Sequence, residues 1–197
     1  MIVHYTLGIY PIRIGGLNKY ATDLMREQRK KMEVVALMPG PWRPWKRGCY
    51  IKEKRTKDTV RQFVMYNVHP LPLFYGIKTP SDFMDKHIDK DSFESFFAEV
   101  QPKVLHLHTL MGLPEEVLSF FKDKGVRIIY TSHDYFGICP KVNLINRSGV
   151  LCDGPLAERC VSCNASAPST LFLRLRNSNI VLKSKDILRW LKNTFNS

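Results

Sequence analysis

The feature that most constrains this chain is a β-α-β pattern completed within its first forty residues. Residues 2–7 (IVHYTL) read as a strand, and Leu17, Tyr20, Ala21 and Leu24 then recur at i, i+3, i+4 and i+7, the spacing of one apolar helix face. Residues 33–38 (EVVALM) form a second short β-branched run, closed by Pro39-Gly40-Pro41, which neither a helix nor a central strand carries. The alternation continues with a strand over 60–68 (VRQFVMYNV). Phe93, Phe96, Phe97 and Val100 give a helical stripe ended by Pro102, and 104–110 (VLHLHTL) resumes as a strand. Pro114 is placed as the first residue of a helix over 114–124, Gly125 stops it, and 126–132 (VRIIYTS) is the next strand. This order predicts an α/β fold: a Rossmann-like, open, mostly parallel sheet with helices on both faces.

With 197 residues, 44% of them hydrophobic and 11 Phe, 8 Tyr and 3 Trp among them, the chain can bury a sizeable core. One domain over 1–165 and a basic helical segment over 166–197 is the economical division; Ile187, Leu188, Leu191 and Phe195 suggest an amphipathic helix in that segment. No apolar run approaches the ~18 residues of a membrane span, and the start lacks the charged and apolar regions of a secretory leader. A cytoplasmic protein is expected.

In parallel α/β sheets, ligands bind beyond the carboxyl ends of the strands, so those ends carry the candidate site. The first ends toward Gly15-Gly16, where two missing side chains permit close approach and the free N–H groups of a helix start attract anions, above all phosphates. A tight strand-to-helix turn explains the pair equally well, and the spacing from Gly8 is not the G-x-G-x-x-G of dinucleotide binding. His106 and His108 stand two apart on one face of their strand, a placement that reads first as core histidine. His133-Asp134 lies past its strand in a polar turn, where a group titrating near neutrality is useful.

The formal net charge of +12 is concentrated. Between Arg26 and Arg61 twelve Lys and Arg oppose four Asp and Glu, and from Ser166 onward six oppose Asp186 alone. Such clustering points to an anionic partner. The segment PGPWRPWKRG places Trp42, Arg43, Trp45, Lys46 and Arg47 together, suited to the headgroup level of an anionic membrane or to an acceptor phosphate. Four cysteines, Cys139, Cys152, Cys160 and Cys163, fall within a loop over 137–165 as C-x12-C-x7-C-x2-C. In a reducing compartment they suit a structural Zn²⁺, with free buried thiols or a disulfide as the other readings.

The stretches GGLNKYATDLMREQRKKMEVVALMPG, VLHLHTL and GVRIIYTSHDYFGICPKVNLI, in this order, resemble the N-terminal, acceptor-side half of GT-B glycosyltransferases of the glycogen-synthase-like group, over about residues 1–165. The resemblance implies a retaining transfer of sugar from a nucleotide-sugar to a glycan or polyprenyl-phosphate-linked acceptor in cell-surface glycan synthesis. Catalysis would need no cofactor, and the protein would sit peripherally on the inner face of the membrane. It further implies that Gly15 and Gly16 approach the donor diphosphate or the acceptor, with His108 nearby. His133 would lie beside the transferred sugar, and Asp134 would orient its turn. The donor-binding half of such enzymes is not in this sequence, so the chain by itself is expected not to transfer sugar, whether as a truncated product or as one subunit of a split enzyme. The alternative is a non-enzymatic basic module for an anionic membrane or nucleic acid. The Pro-rich setting of the tryptophan loop suits the membrane, and nucleic acid is not expected as a partner.

Overall fold

In a computed structural model, residues 1–84 and 87–178 are described. The strands are β1 (Ile2–Tyr5), β2 (Val34–Pro39), β3 (Tyr50–Lys54), β4 (Arg61–Tyr66), β5 (Val104–Leu107) and β6 (Arg127–Tyr130). The helices are α1 (Gly16–Arg29), α2 (Lys90–Val100), α3 (Glu115–Asp123), α4 (Ala157–Asn164) and α5 (Thr170–Arg176). One sheet holds all six strands in the order β3-β4-β2-β1-β5-β6, and every neighbouring pair is parallel except β3 with β4. The mostly parallel α/β sheet expected from the sequence is present. The chain leaves β1 toward β2 and β4 on one side and returns to β5 and β6 on the other.

The two faces of the sheet are built differently. On one, Phe93, Phe96 and Val100 of α2 and Val117 and Phe121 of α3 pack on Val3, Tyr5, Leu37, Phe63, Leu105 and Leu107. Edge-to-face aromatic pairs, such as Phe63 with Phe96 at 4.9 Å between centroids, lock this layer. Asp89 caps α2 by accepting from the Ser92 amide, and Gln101 ends it in the left-handed conformation just before Pro102. The opposite face is covered by α1, whose apolar contribution is small: Ala21 and Met25 pack on Val34, Ala36, Met38, Val60 and Val64.

Four expectations need adjustment. The buried stripe of α1 is Asn18, Ala21, Thr22 and Met25, while Tyr20 is exposed and Leu17 and Leu24 are half-buried. The helix turns this mixed stripe inward because polar groups in the segment after β1 meet it there: Thr6 Oγ1 lies 3.4 Å from Asn18 Oδ1, and Thr22 Oγ1 accepts from the Tyr10 amide at 3.0 Å. The apolar pattern predicts no strand between residues 39 and 60, yet β3 forms an antiparallel edge on β4 there with Tyr50 and Ile51 buried. Pro114 stands at the cap of α3 rather than inside it, and α4 is a helix within the cysteine-rich stretch. The proposed terminal helix over Ile187, Leu188, Leu191 and Phe195 lies outside the described residues.

The aromatic layer is the main apolar reservoir, so truncation there is costly. Phe121→Ala, at a site with no exposure, is expected to lower stability by about 3–5 kcal/mol in urea unfolding. Met84→Ala, at a largely exposed site, should stay within about 0.5 kcal/mol.

Candidate functional site

The point where the chain reverses direction in the sheet lies between β1 and β5, and a cleft of about 520 Å³ opens there at the carboxyl edge. Its walls come from the loop after β1 and the start of α1 (Arg13, Ile14, Gly15, Gly16, Asn18), from Leu73, Phe74 and Met111, and from His133, Asp134 and Tyr135 after β6. The structure thus brings together the glycine pair and the His-Asp turn, which are more than a hundred residues apart in sequence.

The two glycines do different work. Gly15 has φ +145°, a conformation that side chains rarely adopt, so the backbone path itself requires it. A Cβ at Gly16 would meet nothing within 4 Å. Protein packing therefore does not require glycine at 16, and its absent side chain leaves the cleft open beside the N-terminus of α1, which has no side-chain cap. Arg13 adds a cation to this wall, held by donation from Nη1 to the Leu7 carbonyl at 2.9 Å; burial lowers its pKa. Asp134 shapes the opposite wall, where its Oδ1 accepts from the Phe136 amide at 3.0 Å and its carbonyl accepts from the Ser132 hydroxyl at 2.9 Å.

Behind His133 lies a network of four histidines. Parallel pairing of β1 and β5 sets His4 directly beside His106, and His108 follows two residues on along the same face. Gln28 Oε1 lies 2.7 Å from His4 Nε2, His4 Nδ1 lies 2.9 Å from His108 Nε2, and His108 Nδ1 lies 3.3 Å from His133 Nε2. His106 Nε2 meets Thr131 Oγ1 at 2.8 Å. Tyr20 of α1 closes the array edge-on over His133, 4.8 Å between centroids.

One assignment of protons satisfies the chain with neutral rings. An amide oxygen only accepts, so His4 Nε2 carries its proton and His4 Nδ1 accepts from His108 Nε2–H. His108 Nδ1 then accepts from His133 Nε2–H, which leaves the other nitrogen of His133 as an acceptor. Electrostatics agree with neutral rings. Burial lowers the His4 pKa to about 4 against the opposing bond to Gln28, with His106 adding to the fall. Burial, then His106, His4 and His133, take His108 to about 3. His106 and His133 are also lowered, chiefly by burial.

The other sequence candidates are dispersed. In the tryptophan loop, Trp42 is half-buried beside Ser178 and Arg174, and Arg43 lies 3.9 Å over the Tyr66 ring. Lys46 pairs with Asp89 at 2.8 Å. Trp45, 75% exposed, and Arg47 remain turned to solvent. The four cysteines do not gather: among the described residues, His4, His106 and His108 are the one group of three or more candidate ligands. Cys160 and Cys163 ride on α4, while Cys152 Sγ donates to the Gly154 carbonyl and Cys139 lies in the turn after β6. No helix among the described residues is long and apolar enough to cross a membrane.

Sequence reasoning missed His4, Gln28, Thr131 and Arg13. The signal for His4 was a lone histidine inside an otherwise apolar first strand, legible only together with the His-x-His strand that pairs with it. Comparison of the chain with known protein families, with curated proteins and with solved structures finds no match.

The lowered histidine pKa values make stability depend on pH. Between the ordinary value of 6.5 and the folded values of about 4 and about 3, the unfolded chain binds more protons than the folded one. Stability is therefore complete above about 6.5 and falls on acidification toward those lower values. Urea unfolding in chelator-containing buffer should show a midpoint that drops steadily from pH ~7 to ~5, and His108→Gln should flatten that slope.

Proposed function

We propose that the chain is the acceptor-side part of a GT-B glycosyltransferase of the glycogen-synthase-like group. It would act in transfer of sugar from a nucleotide-sugar to a glycan or polyprenyl-phosphate-linked acceptor, with the nucleotide held by a separate donor domain. The observation that carries the reading is the cleft at the reversal point, in which Gly15-Gly16, Arg13 and His133-Asp134 face one volume. Such transfer needs two things from this side: stabilisation of phosphate oxygens and a polar contact to a sugar whose ring develops positive charge. The uncapped start of α1 and the Arg13 guanidinium supply the first. A neutral His133 with a free acceptor nitrogen supplies the second, as it can take a hydrogen bond from a sugar hydroxyl without bringing a competing positive charge. Exposed Ile14, Phe74 and Tyr135 on the walls suit an acceptor with a lipid portion.

The probes are a glycan array and phosphatidylcholine vesicles carrying polyprenyl phosphate. Retention on one of them is expected, falling tenfold or more in His133→Ala and in Gly16→Ala. The second variant is informative because its methyl group meets only the cleft, so Tm should hold or rise, alanine being favoured over glycine in a helix by ~1 kcal/mol. Retention on neither probe, or unchanged retention in both variants, overturns the reading.

A peripheral contact with an anionic membrane fits the same function. Trp45 and Arg47 are the loop side chains left to make it. Trp45→Ala with Arg47→Glu should reduce co-sedimentation with anionic vesicles at moderate salt several-fold, while Trp42→Ala acts mainly on stability. Vesicle binding that ignores the first pair places the contact elsewhere.

A further inference from the structure

We propose that His4, His106 and His108 form a binding site for a divalent first-row metal ion, zinc in the first instance, held by one nitrogen of each ring. One ring nitrogen from each histidine lies within 4.8 Å of the other two, and all three residues are buried. The outer nitrogen of each ring is already engaged: His4 Nε2 by Gln28, His106 Nε2 by Thr131, and His108 Nδ1 by His133. The nitrogens left over for a metal ion are His4 Nδ1, His106 Nδ1 and His108 Nε2. Metal-ligating histidines are held in this way, with an outer partner fixing the tautomer and the ring plane.

The dimensions and the donor chemistry agree. A tetrahedral zinc ion with bonds of ~2.0–2.1 Å sets its ligand nitrogens roughly 3.3–3.4 Å apart. His4 Nδ1 and His108 Nε2 are 2.9 Å apart, and since no pair in the group exceeds 4.8 Å, the widest has to close by no more than about 1.4 Å, the scale of a modest imidazole rotation. Three imidazoles without a carboxylate select zinc, cobalt, nickel or copper over magnesium or calcium. Burial keeps the rings neutral, so their lone pairs are not competed for by protons near neutral pH.

Binding replaces the bond between His108 and His4. His108 then carries its proton at Nδ1 and donates to His133 Nε2, and the proton of His133 moves to its other nitrogen. All rings stay neutral and no net proton is released. Metal occupancy thus turns the second nitrogen of His133 from an acceptor into a donor. The site lies behind the cleft and does not rest on the transferase reading.

The test is titration of the chelator-treated full chain with Co²⁺, read by visible absorption and by metal analysis after gel filtration. About one equivalent is expected, with tetrahedral d–d bands and no thiolate-to-cobalt charge-transfer band. Cys160→Ser with Cys163→Ser should leave this unchanged. His106→Gln should abolish tight binding. Gln28→Leu and Thr131→Val, which keep all three ligands, should each weaken it about 10–100-fold. Circular dichroism of the metal-free variants establishes that they fold, and the two outer-partner variants decide the matter if a ligand variant does not. No cobalt retained by the folded protein overturns the proposal. So does binding that the cysteine pair abolishes, or binding that the Gln28, Thr131 and His106 variants leave intact.

Discussion

Everything distinctive about this molecule hangs on the parallel ladder between β1 and β5. Four residues on each side pair Ile2 with Val104 through Tyr5 with Leu107, so that every side chain along the two strands is assigned to a face. Because strand side chains alternate, the register that sends Val3, Tyr5, Leu105 and Leu107 into the aromatic layer also sends His4 and His106 to the other side. A slip of one residue would put imidazoles among phenylalanines and aliphatics under α1. The apolar layer thus pins the register, and the register builds the histidine array.

That array explains why α1 buries polar side chains. Burying imidazole, hydroxyl and amide groups is costly unless each finds a partner. The helix supplies those partners with Asn18 to Thr6, Thr22 to the Tyr10 amide and Gln28 to His4, while Tyr20 lies against the outer histidine. Only Ala21 and Met25 provide apolar contact of the ordinary kind. The sheet therefore has one face built for cohesion and one for polar chemistry, and the second leads without interruption from Gln28 to the cleft wall at His133.

The concentrated positive charge has a mixed fate. Lys46 and Arg61 are held by carboxylates, Asp89 for one and Glu53 and Glu99 for the other, and Arg43 lies over an aromatic ring. These contacts tie the tryptophan loop and β4 to α2 and to the edge strand β3. The cations left free to meet an anionic partner are fewer than the formal charge suggests, and in the tryptophan loop they reduce to Arg47 beside Trp45.

The chain's own pattern of apolar runs, glycines and prolines was enough to determine the α/β class, the parallel sheet and the turn at Gly15-Gly16, because these depend on spacing within a few residues. It also placed His133-Asp134 just beyond a strand, since the run VRIIYTS ends immediately before them. What lies far apart in sequence was decided only in three dimensions. His4 is more than a hundred residues from His106 and His108 in sequence, and no local period announces that they meet. The buried face of α1 departs from the apolar period for the same reason: hydrophobic periodicity assumes an apolar partner throughout, and here the surface beneath is apolar at Val34, Ala36 and Met38 but polar at His4, Thr6 and the Tyr10 amide. The cysteines make the converse point. Their close spacing suggested one site, yet among the described residues no three of them come together: Cys160 and Cys163 ride on α4, while Cys139 and Cys152 lie in the loops before it.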